Sequence, residues 1–300
     1  MSERFWLRDS ATGVLPTDLE TFVDLRRQSG LKVGLSWGHF YQMTADSVML
    51  DHRPDYGKRF YDGLPSFPNR LEQTGTESDF AVEQTVESLG HLVMYILYGW
   101  ETGIYNEFRH FQSRGFTKAQ LMELVMYGQL NAGIRGLQLV YNAVGRFLPD
   151  FSDGPGPAKL PKSWAPDPDA FKSGLDLSTR DLTARDRKNL TDWYEKTIGY
   201  VPNSVNFAMT YHPEFYKWHR ARWEVIFQTL PKQVMPYIML RQHMITGFRD
   251  ALREAVLLGK AWGITKEWIV HGLAVTACYT GFEGLYAAQA AMDDILRDWE

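Results

Sequence analysis

Residues 247–291 read GFRDALREAVLLGKAWGITKEWIVHGLAVTACYTGFEGLYAAQAA and align without a gap on residues 99–143, which lie 148 positions earlier. The identical pairs are Gly99 and Gly247, Gly115 and Gly263, Gly133 and Gly281, Gly136 and Gly284, Thr117 and Thr265, Lys118 and Lys266, Leu137 and Leu285, and Ala143 and Ala291. Extending the alignment back to Val86 and Val234 gives ten identities in 58 positions. Composition alone would give roughly three or four. Because glycine positions reflect what the backbone needs, the four glycine pairs predict a tandem duplication.

Each copy is predicted to form three helices joined by short turns. The phrases RGFTKAQLMELV and WGITKEWIVHGL both place a glycine after one helix and a capping threonine before the next. Apolar residues before this turn recur at helical spacing: Ile104, Phe108 and Phe111 in the first copy, Leu252, Ala255 and Leu258 in the second. The helix after the turn contains a pair of glycines in each copy, where a helix can break. The sequence therefore predicts an all-α fold.

This arrangement resembles the carboxymuconolactone decarboxylase and alkylhydroperoxidase-D superfamily. The hallmark of that family is a helix with C-x-x-C-x-x-x-H, followed by a Gly-x-Thr turn and another helix. The family's His position lies eight residues before each turn glycine, and its two Cys positions precede the His by seven and four residues. These Cys, Cys and His positions hold Trp100, Gly103 and Glu107 in the first copy, and Phe248, Ala251 and Ala255 in the second. The resemblance thus covers the scaffold, and the thiol motif is absent from both copies.

A second resemblance lies in residues 199–215, GYVPNSVNFAMTYHPEF, which are similar to the Gly-x-x-Pro entry and His-Pro turn of family members. The family resemblance implies two tandem copies of an alkylhydroperoxidase-D-like helical unit related by a pseudo-twofold axis. We expect four parts: an N-terminal helical extension at 1–50, a first repeat at 51–149, a proline-rich linker at 150–181 and a second repeat at 182–300. Family members with one copy form oligomers, so the chain is expected to be a homo-oligomer, for example a trimer of duplicated chains.

Composition narrows the class of protein. The chain has 300 residues, 44% of them hydrophobic, which is typical of a globular protein. A net charge of -4 argues against nucleic-acid binding, and no apolar run is long enough to span a membrane. The first residues have no signal-peptide pattern, and a lone Cys278 fits a reducing compartment, so we expect a cytoplasmic protein.

The candidate catalytic residues are Glu87, His91 and Glu107. Glu83, Glu87 and His91 follow one another at intervals of four on a predicted helix at 79–98, so they share a face. The resemblance implies a proton-relay role for Glu87, within one residue of the family's acidic position, and Glu107 stands at the family's His position. A carboxylate and an imidazole facing a carboxylate of the next helix can perform acid-base chemistry.

The candidate substrate-binding residues are Arg241, His243 and Tyr105. Arg241 and His243 interrupt an apolar run in the predicted helix 232–246. A buried arginine needs a partner, so we expect a carboxylate from another helix or from a ligand beside it. His271, Tyr279 and Glu283 are further polar side chains of the last two helices, where packing is the more common role.

Glu107 and His110 have the spacing of di-iron ligands, but such sites use that motif twice and the chain supplies it once. We therefore expect no metal and no cofactor. The sequence predicts a carboxymuconolactone decarboxylase-like enzyme (a decarboxylase, lyase or related proton-transfer catalyst) acting on a small carboxylate or lactone. The alternative is a catalytically silent ligand-binding or scaffold member of the same fold, since every motif Cys and His is replaced. A thiol peroxidase is disfavoured, because Cys278 has no resolving partner in the chain. A buried carboxylate and His cluster would favour the enzyme, and an apolar cleft the binder.

Overall fold

The computed structural model describes residues 77–145 and 148–299, together with residues 55, 56 and 59. The chain divides into two compact units, residues 1–80 and 81–300, and almost all described residues belong to the second. The helical extension predicted at 1–50 and most of residues 51–76 lie outside the described residues.

The described part of the chain is all-α, as predicted from the sequence, and contains no strand. None of its helices has the length and apolar character needed to cross a membrane. The helices are α1 Glu77–Tyr98, α2 Glu101–Ser113, α3 Lys118–Val140, α4 Ala184–Ile198, α5 Asn203–Tyr211, α6 Pro213–Trp223, α7 Val234–Thr246, α8 Arg249–Ala261, α9 Lys266–Thr280 and α10 Phe282–Arg297. We refer to α1–α3 as the first half and to α4–α10 as the second half.

The aligned glycines have matching backbone conformations. Gly99 and Gly247 have φ of 73° and 71°, and Gly115 and Gly263 have φ of 88° and 82°. The helices α2 and α8 begin and end at positions 148 apart, since 249 minus 101 and 261 minus 113 are both 148. The threonines of the two turns, Thr117 and Thr265, both cap the following helix by accepting a hydrogen bond from a backbone N–H three residues on.

The helix after this turn is broken by a glycine in each half. Gly133 kinks α3 with φ 62° and ψ −152°, and Gly281 separates α9 from α10 with φ 63° and ψ −157°. Only glycine adopts this conformation readily, because a Cβ atom would clash with the backbone. The break lets one stretch of apolar sequence pack in two directions.

The core is formed by apolar side chains of both halves, and the proline-rich segment contributes to it. Trp164 and Phe171 of that segment are buried. The Gln233 side chain fixes the segment, because its amide donates to the Trp262 carbonyl at 3.0 Å and its oxygen accepts from the Ala165 N–H at 3.2 Å. The connector between the halves is therefore packed along the second half.

Helix α3 binds the second half through Glu123. One carboxylate oxygen accepts the N–H groups of Gln228 and Thr229 at 3.0 and 2.8 Å, and the other accepts the Leu230 N–H at 2.8 Å. One turn further along α3, the Tyr127 hydroxyl donates to the Gln242 side chain of α7 at 2.7 Å. These bonds hold the turn before α7 and α7 itself against the first half.

The glycine breaks can be tested by substitution. Gly281→Ala should lower the free energy of unfolding by about 1–3 kcal/mol, because alanine is strained at φ 63°. No atom lies within 4 Å of the added Cβ, so the lost stability reflects backbone strain and no steric clash. Urea denaturation gives the value. Gly259→Ala, in the interior of α8, is the control and should be neutral or stabilising by up to about 1 kcal/mol. Equal effects at the two positions would contradict the role assigned to the break.

Candidate functional site

Six buried or half-buried polar side chains meet where α1 faces α2 and α9. Helix α1 carries three of them, one turn apart, and all six are called the polar cluster below: Glu83, Glu87, His91, Glu107, His271 and Tyr279. Glu83, Glu87, His91, Glu107 and His271 each expose less than a tenth of their surface. Spacing of four residues puts the α1 members on one face, as the sequence predicts. Burial of so many ionisable groups together is typical of a functional site.

The cluster contains two series of polar contacts. In the first, Glu87 Oε1 lies 3.0 Å from His271 Nε2. In the second, the Tyr279 hydroxyl lies 3.1 Å from His91 Nε2, and His91 Nδ1 lies 3.8 Å from Glu107 Oε1. The second series thus joins a phenol, an imidazole and a carboxylate that belong to three different helices.

The far side of Glu107 is held weakly. Its Oε2 atom lies 3.5 Å from His110 Nδ1. Neither atom makes a hydrogen bond to any described residue. One oxygen of Glu107 faces His91 and the other is only loosely held. The carboxylate can therefore change its contacts when the His91 imidazole gains a proton.

Both imidazoles of the cluster are kept neutral at pH 7. Burial lowers the pKa of His91 well below its usual value, and the Arg241 guanidinium adds to the effect. Burial, again with Arg241 adding, lowers the pKa of His271 to about 3. A neutral His91 with its proton on Nδ1 satisfies both neighbours, because Nε2 then accepts from Tyr279 and Nδ1–H faces Glu107. His91 can therefore act as a base.

Arg241 lies directly behind the cluster and contacts α1 and α9. Its Nε donates to Thr276 Oγ1 at 2.9 Å, and a terminal nitrogen donates to the Glu87 backbone carbonyl at 2.8 Å. Its side chain is 1% exposed and crosses α1 at Gly90. The partners observed are thus a carbonyl and a hydroxyl, where the sequence led us to expect a carboxylate. In this position Arg241 orients α1 and sets the charge around the imidazoles.

The two other candidate substrate-binding residues lie apart from the cluster. His243 follows Arg241 by two residues on α7, so it points to the other side of the helix, and burial lowers its pKa to about 4. Tyr105 precedes Glu107 by two residues on α2 and packs against the hydrophobic core. The structure therefore brings together Glu87, His91 and Glu107, with Arg241 behind them.

A surface cavity of about 400 Å³ ends at the polar cluster. Tyr279 lines it and belongs to the second series of contacts as well. The other polar side chains of its wall are Tyr98, Thr246, Arg249, Thr280, Glu283 and Tyr286. A small molecule in this cavity would meet the Tyr279 hydroxyl, with His91 and Glu107 behind it.

Comparisons with protein-family models, with curated proteins and with solved structures found no significant match to this chain. The assignment of a function therefore depends on the residues of the chain itself.

His271 and Tyr279 are the cluster members that the sequence does not single out. In the sequence they are two polar residues of an apolar helix, which is typical of packing. One available signal is their spacing of eight residues, which matches that between Glu83 and His91 and puts the pair on one face of α9. The spacing does not reveal that this face meets α1.

The contact between Arg241 and Gly90 can be tested by adding a methyl group. A Cβ at position 90 would overlap Cδ and Nε of Arg241. Gly90→Ala should therefore displace the guanidinium and lower the free energy of unfolding by about 1–3 kcal/mol.

Gly272→Ala is the matched control for this substitution. Its Cβ would lie 3.2 Å from the Tyr237 ring, so a shift of a few tenths of an ångström accommodates it. We expect its loss to stay below about 1 kcal/mol in urea denaturation. If Gly90→Ala were as mild as the control, Arg241 would not be held as described.

Proposed function

We propose that the chain is a carboxymuconolactone decarboxylase-like enzyme that transfers protons on a small carboxylate or lactone substrate. The observation that carries the proposal is the Tyr279–His91–Glu107 chain, with spacings of 3.1 and 3.8 Å, at the end of a surface cavity. A buried cluster of paired carboxylate and imidazole supports an enzyme over a ligand-binding member, for which an apolar cleft is expected.

Tyr279, His91 and Glu107 would act together as a base. A substrate proton passes to the Tyr279 oxygen while the Tyr279 hydroxyl proton passes to His91 Nε2. The imidazolium that forms is stabilised by the Glu107 carboxylate facing Nδ1, and it returns the proton along the same path. For a carbanion left by decarboxylation, the Tyr279 hydroxyl would donate its proton, and solvent in the cavity would return a proton to the Tyr279 oxygen. The depressed pKa of His91 keeps it in the accepting form at neutral pH.

Arg249 is better placed than Arg241 to bind a substrate carboxylate. Arg249 is exposed and lines the cavity, while the Arg241 guanidinium is buried against α1 and α9. Guanidinium groups bind carboxylates with two parallel hydrogen bonds, which would orient the substrate toward Tyr279. Glu87, whose carboxylate faces His271, lies outside this relay.

We further propose that the two halves arose by tandem duplication and are related by a pseudo-twofold axis. The equal helix limits, the matching glycine angles and the equivalence of Glu123 and His271, which are 148 positions apart, support this origin. Each of these two residues projects from its helix to a different part of the opposite half.

The enzyme proposal is tested by hydrogen exchange in D₂O. Proton NMR would follow loss of the hydrogen next to the carbonyl in a panel of small carboxylic acids and lactones. The wild-type chain should catalyse exchange in at least one compound. Tyr279→Phe should reduce that rate by roughly 10²–10⁴-fold, because it removes the proton-transfer oxygen and keeps the ring.

Tyr286→Phe is the matched control for this experiment, because Tyr286 lines the same cavity and is 56% exposed. It should keep most of the exchange rate. If both variants lost exchange activity equally, Tyr279 would act only as part of the cavity wall and would not transfer protons. No exchange with any compound would favour the ligand-binding alternative.

A further inference from the structure

Three members of the polar cluster that the relay does not use form a set with metal-ligand geometry. One oxygen of Glu83, one oxygen of Glu87 and one ring nitrogen of His271 all lie within 4.8 Å of one another. Ligands bound to a single cation at about 2.0–2.2 Å are roughly 3–4 Å apart. Small side-chain rotations would therefore bring the three atoms onto one ion.

The composition of this set fits a divalent cation. Two carboxylates separated by one turn of α1 face an imidazole of α9, and all three are more than nine-tenths buried. A divalent ion attracts both carboxylates, and burial strengthens this attraction compared with the same groups in water. Mixed oxygen and nitrogen ligands favour manganese, iron or zinc over magnesium or calcium, which prefer oxygen alone.

His271 is also oriented for coordination. Its ring packs edge-on against Trp268, with 6.0 Å between centroids and 79° between planes. Its Nε2 atom faces Glu87 at 3.0 Å. The ring therefore presents one nitrogen to the carboxylates.

Tyr237 provides an independent observation beside the set. Its side chain is fully buried, and its hydroxyl has no partner in hydrogen-bonding geometry among the described residues. The ring lies against Gly272, the neighbour of His271. The Arg241 guanidinium lies next to this hydroxyl, and the Glu87 and Glu83 carboxylates are nearby. A buried hydroxyl at this place is suited to hydrogen-bond a water bound to the ion.

We propose that Glu83, Glu87 and His271 bind one divalent transition-metal ion and that Tyr237 positions a water on it. This site shares no residue with the Tyr279–His91–Glu107 relay, so it goes beyond the proposed function. An ion at this site would lie on the next turn of α1 from His91 and would add a positive charge beside the relay.

Metal binding can be measured without any substrate. The full chain is stripped with a chelator, dialysed against manganese, zinc or magnesium, and analysed by mass spectrometry for metal content. We expect about one manganese or zinc ion per chain and much weaker retention of magnesium. Cobalt would report the ligands directly, because a bound imidazole changes its visible absorption spectrum.

The variants then separate ligands from neighbours. Glu83→Gln and His271→Gln should each weaken binding by at least roughly 10–100-fold, and Tyr237→Phe should weaken it less than either. Glu107→Gln and Glu283→Gln, which alter the relay and the cavity wall, should keep the metal. Circular dichroism checks that each variant folds.

Two outcomes would overturn the proposal: a wild-type chain that retains no stoichiometric metal, or ligand variants that retain as much as the wild type. The first outcome needs no variant, so a folding defect cannot conceal it, and the second is judged only on variants that circular dichroism shows to be folded. Loss of exchange activity in Tyr279→Phe with normal metal content would leave this site intact and test the relay alone.

Discussion

The arrangement of the site depends on one buried cation. Arg241 leaves α7, crosses α1 where Gly90 has no side chain, and donates to the Glu87 carbonyl and to Thr276 of α9. A guanidinium excluded from water is tolerated only when its N–H groups are satisfied, so these bonds fix the spacing of three helices. Burial lowers the pKa of both imidazoles, and the same charge lowers it further. The contacts among three helices and the charge around both imidazoles thus depend on a single side chain.

Positions 148 residues apart in the two halves carry different side chains with different contacts. Glu123 of α3 accepts backbone N–H groups at the turn before α7, which is a structural task. His271, 148 positions later, faces the Glu87 carboxylate in the polar cluster. At the positions 148 residues after Glu87 and His91 the second half has Met235 and Met239, which are buried in the core. The first half therefore supplies four of the six side chains of the polar cluster, and the second half supplies the other two together with Arg241.

Local features of the fold and site could be read from the sequence, and features set by tertiary contacts could not. Helical spacing put Glu87 and His91 on one face, and the turn glycine led to Glu107, because both signals are local. The partners of Arg241 were not foreseeable, since a backbone carbonyl leaves no mark in the sequence. The sequence favours a packing role for Tyr279 for a related reason. Its hydrogen bond to His91 joins positions 188 residues apart, and no local pattern indicates such a contact.

The Tyr279 side chain lines the cavity, and its hydroxyl also contacts His91 in the polar cluster. The side chains of Tyr98, Arg249 and Tyr286 also line the cavity, and none of the three makes a hydrogen bond to another described residue. If the proposed function holds, recognition and reactivity would be carried by separable sets of residues that meet at the Tyr279 ring. Such a division would let the wall diversify toward new compounds while the interior chemistry stayed constant.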